Sequence, residues 1–129
     1  MKTILVLDDE PAVLQLTAMI LRGTTGWCVL EAGNLQDAAD HAKSNIDLVI
    51  ADVCIDGHTP LAVAGHLKTL CPSAPLLFIS GYSREHLLGN GLLDDSAAFL
   101  AKPFSPTTLL RRIHEVLGAG TPRVLSAAG

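Results

Sequence analysis

The segment Thr3-Ile4-Leu5-Val6-Leu7-Asp8-Asp9-Glu10-Pro11 changes character twice. Its first half is an unbroken run of apolar and β-branched residues. Such a run reads as a strand buried on both faces, as in a parallel sheet. The run stops on three consecutive acids, and Pro11 follows where a helix would begin, since its missing N–H and fixed φ suit a first turn. Strand, acidic loop and helix start make one βα unit.

That unit recurs along the chain. Apolar runs of strand length lie at Cys28–Leu30 with its flanks, Asp47–Ala51, Leu76–Ile79 and Ala97–Ala101. Between them are helix signals. Val13, Leu16, Thr17 and Ile20 form a stripe ending near Gly23, and Asn34 is placed to cap a helix carrying Leu35, Ala38, Ala39 and Ala42. Thr59-Pro60 opens a third helix with Leu61, Ala64 and Leu67, stopped before Pro72. Ser83 caps a short fourth through Leu87 and Leu88, broken by Gly89 and Gly91. Ser105-Pro106 opens the fifth, with Leu109, Ile113, Val116 and Leu117 on one face before Gly118. Five strands alternating with five helices predict a single doubly wound α/β domain, (βα)5, around a parallel five-stranded sheet. At 129 residues the chain holds one such domain, over residues 1–118, with residues 119–129 as a short C-terminal tail.

Composition narrows the function. Hydrophobic residues are 49% and charged residues 17%, which supplies a core and argues against disorder. Net charge is −4, and the longest basic run is Arg111-Arg112, so no direct nucleic-acid partner is expected. Cys28, Cys54 and Cys71 are odd in number and lack C-x-x-C spacing, which speaks against a disulfide framework or a zinc site. No run is long enough for a signal peptide or membrane span, so a cytoplasmic protein without a membrane partner is expected.

The polar residues fall in telling places. Asp8 and Asp9 follow the first strand, Asp52 the third, Ser80 the fourth and Lys102 the fifth. In a sheet of order 2-1-3-4-5, strands 1, 3, 4 and 5 are neighbours, and right-handed crossovers bring their carboxyl ends to one edge. Carboxylates gathered there without His or Cys suit a hard, oxygen-loving cation, with Mg²⁺ favoured. A carboxylate nucleophile, a metal, a lysine and a hydroxyl are the parts of phosphoryl transfer, which rests on positioning and charge stabilisation.

These residues resemble the response-regulator receiver domain of two-component signalling, from the first strand to the fifth helix. The resemblance rests on Leu7-Asp8-Asp9-Glu10, on Asp52 after Leu48-Val49-Ile50-Ala51, on Ser80-Gly81 and on Lys102-Pro103-Phe104. It implies a flavodoxin-like fold with Asp52 as phosphoacceptor. Mg²⁺ would be held by Asp9, Asp52 and the Cys54 backbone carbonyl, with Asp8 acting through water. Lys102 would meet a phosphoryl oxygen, Ser80 and Phe99 would be the switch pair, and Lys102-Pro103 would be cis. The implied donor is a histidine kinase or histidine phosphotransfer protein. The implied output is a downstream protein at the surface of helix 4, strand 5 and helix 5. Such a domain is a signalling switch and not an enzyme, beyond assisting its own phosphorylation and dephosphorylation. Ser80-Gly81-Tyr82-Ser83 and Ala101-Lys102-Pro103-Phe104 look like receivers attached to hybrid sensor kinases. The chain departs from the pattern after Asp52: Met-Pro commonly follows and Gly commonly opens the third helix, where this sequence has Ile55-Asp56 and Pro60.

Plainer readings exist for each residue alone. Asp52 could be a turn residue, Asp8-Asp9 could serve a helix terminus, Ser80 a turn, Lys102 the surface and Phe99 the core. Two other functions stand beside the leading one. A degenerate receiver would bind a partner without phosphorylation. A haloacid-dehalogenase-like phosphatase would want Asp-x-Asp on the first strand and a cap domain, and this chain has adjacent Asp8-Asp9 and no length for a cap.

Overall fold

The computed structural model describes residues 2–23, 26–91 and 98–119. Strands and helices alternate as β1 (Lys2–Leu7), α1 (Pro11–Arg22), β2 (Trp27–Ala32), α2 (Leu35–His41), β3 (Leu48–Asp52), α3 (Pro60–Leu70), β4 (Leu76–Ser80), α4 (Arg84–Gly89), β5 (Ala98–Ala101) and α5 (Pro106–Ala119). Among the described residues the pairings between these strands are all parallel, in the order β2-β1-β3-β4-β5. The expected architecture is therefore present. Ala97 and the tail from residue 120 onward lie outside the described residues, and α5 runs one residue past the expected boundary at Gly118.

Ile4, Leu5, Val6 and Leu7 are all fully buried, as the unbroken run requires. Strand alternation then sorts them. Leu5 and Leu7 join Val49, Ala51 and Phe78 beneath Ala38 of α2, Val63 and Leu67 of α3 and Leu87 of α4. Ile4 and Val6 join Leu48, Ile50, Leu77 and Ile79 beneath Leu14 of α1 and Leu109 and Ile113 of α5. Two cores thus hold one sheet, and its carboxyl edge is left clear for polar side chains.

Caps formed largely as the sequence predicts. The Asn34 and Ser83 side chains accept from Asp37 N–H and His86 N–H, and Thr59 accepts from Ala62 N–H. Two helix phases differ from expectation. On α1 the buried residues are Leu14, Thr17, Ala18 and Leu21, while Leu16 and Met19 are exposed. On α3 they are Pro60, Val63 and Leu67, with Leu61 exposed. Both helices are apolar on more than one side, so their periodicity leaves the phase to the sheet they pack on.

Thr17 carries a cost. Its hydroxyl is buried and has no hydrogen-bond partner among the described residues. A buried unpaired hydroxyl costs about 1–3 kcal/mol, and valine has nearly the same shape. Thr17→Val is expected to add about 1 kcal/mol, seen as a higher urea midpoint at unchanged slope. A lower midpoint would overturn this.

Candidate functional site

Register builds the site. Leu7 pairs with Ala51 across β1 and β3, so the next residues, Asp8 and Asp52, stand side by side where the ladder ends. Asp52 also pairs with Ile79 on β4, and Ser80 pairs with Ala101 on β5. Lys102 N–H then donates to Ser80 O at 2.7 Å, and the Lys102-Pro103 peptide bond is cis. Strand ends far apart in sequence thus meet between β1 and β3, where strand order reverses and such sheets bind ligands.

Lys102 Nζ lies 3.4 Å from Asp8 Oδ2, 3.5 Å from Asp52 Oδ2 and 3.8 Å from Glu10 Oε1. One ammonium therefore faces three carboxylates. Asp8 is 1% exposed, its Oδ1 accepting from Glu10 N–H at 2.9 Å and its own N–H donating to Ala32 O at 3.1 Å. Burial pushes the Asp8 carboxyl above its ordinary range, against the lowering pull of the Glu10 N–H and Lys102. Burial likewise raises Asp52, with Lys102 pulling down and the Asp8 charge pushing up. Desolvation outweighs the single nearby cation at both groups, so two raised carboxyls share one lysine.

Oxygens of Asp8, Glu10 and Asp52 lie within 4.8 Å of one another, close enough to share one cation. This donor set is all oxygen and fits Mg²⁺ by its chemistry. The expected Asp9 is exposed and outside that group, although its charge reaches the Cys54 thiol. Glu10, which the sequence reading passed over, is inside it. Its position two residues after Asp8, on the same acidic turn, was the available signal. Cys54 is exposed, and its N–H approaches Asp52 Oδ1 at 3.5 Å. Burial, then the Asp52 and Asp9 charges, push its thiol up, which disfavours the thiolate.

Ser80 is buried, and its Oγ accepts from Tyr82 N–H at 2.9 Å. Phe99 is half-buried against the α2–α3–α4 core, and its carbonyl accepts from Arg112 Nε of α5 at 3.2 Å. Asp56 Oδ2 accepts from Leu35 N–H of α2 at 3.0 Å.

Comparisons with known proteins agree with this geometry. The response regulator receiver domain family matches residues 4–114. The phosphate regulon transcriptional regulatory protein PhoB of Pseudomonas aeruginosa is 32% identical over 119 residues, covering 90% of this chain and 52% of PhoB. The chain spans about half the length of the first such curated relatives. The receiver domain of the hybrid histidine kinase CckA is 33% identical, with TM-score 0.70, covering 89% of this chain and 98% of that one. The response regulator TrrA of Thermotoga maritima, in complex with Mg²⁺–BeF, is 29% identical with TM-score 0.71, covering 90% of this chain and 99% of that one. A match across residues 4–114, on a sheet of this order, settles the family: the chain belongs to the response regulator receiver domains of two-component signalling.

Proposed function

We propose that this receiver accepts a phosphoryl group on Asp52 from the phosphohistidine of a histidine kinase or histidine phosphotransfer protein. The supporting observation is Lys102 Nζ poised between Asp8 and Asp52, 3.4 and 3.5 Å away. Asp52 Oδ attacks phosphorus; the P–N bond breaks as the P–O bond forms, and the departing imidazole takes a proton. Lys102 then pairs with a phosphoryl oxygen in place of a carboxylate. Asp9, Asp52 and the Cys54 carbonyl would hold Mg²⁺, with Asp8 acting through water and Glu10 adding charge nearby. That ion supplies neutralisation of the phosphoryl oxygens. Asp9 is an exposed side chain, and an exposed carboxylate reorients at little cost.

Residues 1–118 act in this reading as the switch and 119–129 as a tail. Ser80 and Phe99 carry the change to the α4–β5–α5 surface, where a downstream protein reads it, and the setting is cytoplasmic. The switch works only if the acyl phosphate favours one of two conformations over the other. The Arg112 contact to Phe99 O ties α5 to that strand. No helix among the described residues is long and apolar enough to cross a membrane. The test is acetyl phosphate with Mg²⁺ followed by peptide mass spectrometry. A phosphoryl adduct on the Asp52 peptide is expected, and its absence would sink the proposal.

Tyr82 governs how long the phosphoryl group lasts in this reading. Tyr82 is 56% exposed and its ring stacks on His86 at 5.1 Å, at the rim beside Ser80. A bulky ring there restricts water, and hydrolysis needs water. Tyr82→Ala is expected to shorten the phosphorylated lifetime several-fold, measured by adduct decay after the donor is removed. An unchanged lifetime refutes it.

A further inference from the structure

The loop after Asp52 holds a feature with no part in the roles above. Ile55 and His58 form an antiparallel bridge, with His58 N–H on Ile55 O at 2.8 Å. Asp56 and Gly57 between them have φ of 53° and 75°. Positive φ at both central residues is the type I′ turn, for which Asp-Gly is a favoured pair. Ile55 is fully buried in the α2–α3–α4 core, so the turn has a fixed base. From it Asp56 Oδ2 reaches Leu35 N–H, 21 residues away, at 3.0 Å. Leu35 is the first residue of α2, whose capping Asn34 is occupied with Asp37 N–H.

The other acidic loop is tied to the same place. Asp8 N–H donates to Ala32 O, the last residue of β2, at 3.1 Å. The junction from Ala32 to Leu35 therefore anchors Asp8 through its backbone and the Asp52 loop through Asp56. Cys54, whose carbonyl carries a proposed metal role, lies along the chain between Asp52 and the buried Ile55.

We propose that Asp56 is a positioning residue: its tether to α2 fixes the backbone from Val53 to Ile55, and so sets the Asp52 side of the site against the Asp8 side. This rests on reading Asp52 as phosphoacceptor. The bond can be cut from either end. Asp56→Gly removes the acceptor and keeps the positive φ unstrained. Leu35→Pro removes the donor at a first helical position, where proline is tolerated, and Asn34 before it is already extended. Asp56→Asn keeps an acceptor oxygen and tolerates positive φ.

The experiment measures three quantities on these variants and the double variant Asp56→Gly/Leu35→Pro. They are the phosphorylation rate constant with acetyl phosphate, Mg²⁺ affinity by calorimetry, and Leu35 amide exchange where that amide remains. Asp56→Gly and Leu35→Pro are each expected to slow phosphorylation about tenfold, below the roughly hundredfold that a misplacement of about 1 Å can cost. Mg²⁺ affinity should weaken in both, and Leu35 amide protection should fall in Asp56→Gly. The double variant should be no slower than Leu35→Pro alone, which also removes a side chain packed on the core, because Asp56→Gly then has no bond left to cut. Asp56→Asn should stay near wild type.

Wild-type rates in Leu35→Pro beside a slow Asp56→Gly would overturn the tether and leave only a turn preference. Additive losses in the double variant would overturn it as well. Should the wild type take up no phosphoryl group, the Asp52 reading falls by itself. The Mg²⁺ affinities then decide the tether, and equal values across the variants refute it.

Discussion

Asp52→Asn is expected to take up no phosphoryl group and to melt at a higher temperature than the wild type. The first half follows from chemistry, because an amide cannot attack phosphorus and no other carboxylate ends β3. The adduct signal should fall at least about a hundredfold, a loss typical of removing a nucleophile. The second half follows from electrostatics. Burial raises the Asp52 carboxyl above its ordinary value, the Lys102 charge only partly opposes this, and the Asp8 charge adds to it.

A group whose folded-state pKa is raised binds its proton more tightly in the folded protein. Stability therefore falls as pH climbs from the unfolded value of about 3.9 through the raised folded value, and at neutral pH the whole cost is present. A neutral amide removes that cost. A gain of about 1 kcal/mol would raise the melting temperature by several degrees in a domain of this size. The difference between variant and wild type should close as pH is lowered through the raised folded value to below the unfolded value of about 3.9, where both states carry the proton. Scanning calorimetry across that range checks it. A variant less stable at neutral pH would mean Lys102 more than offsets the burial. The opposite signs, activity lost and stability gained, mark a charge kept for function at the expense of the fold.

What could be read from the sequence follows from which forces are local. Ile4–Leu7 announce a doubly buried strand by composition, and Pro11, Asn34, Thr59 and Ser83 mark helix starts by their own backbone chemistry. Once strand order is fixed, register places Asp8, Asp52, Ser80 and Lys102 without knowledge of any side-chain conformation, so those positions were legible. Leu14 against Leu16 on α1, and Val63 against Leu61 on α3, were not. Both members of each pair are apolar, and only the facing sheet chooses between them. That Glu10 joins Asp8 and Asp52 was not legible for a similar reason, since adjacent acids on one turn differ only in where their side chains point. Asp56-Gly57 carries a legible turn signal between Ile55 and His58, but its partner at Leu35 lies across the fold. No local pattern reports a contact of that kind.

Lys102→Met should lose both activity and stability, and so separates from Asp52→Asn. The methionine keeps most of the stem and removes the charge. Phosphorylation should slow by about a hundred- to a thousandfold, as when a preorganised group that stabilises developing charge is removed. The folded state also suffers, because Asp8 is buried and Lys102, itself 19% exposed, is the cation beside it. Breaking a buried pair from one side costs about 3–5 kcal/mol, and the partial exposure of Lys102 brings the expectation to about 2–3 kcal/mol.

The pH dependence fixes the cause. Without the lysine, its lowering contribution at both Asp8 and Asp52 disappears, so two carboxyls already raised by burial rise further. The folded variant then binds protons more tightly than the wild type. Its deficit is greatest at neutral pH and shrinks as pH falls through the raised values toward about 4. Urea denaturation at several pH values reads this directly. A deficit that stays constant with pH would assign the loss to packing of the lysine stem. Adding Asp52→Asn should restore part of the lost stability while leaving phosphorylation absent, because it removes one of the charges left unpaired. No such recovery would place the cost on Asp8 and Glu10, with Asp52 screened by solvent at the rim.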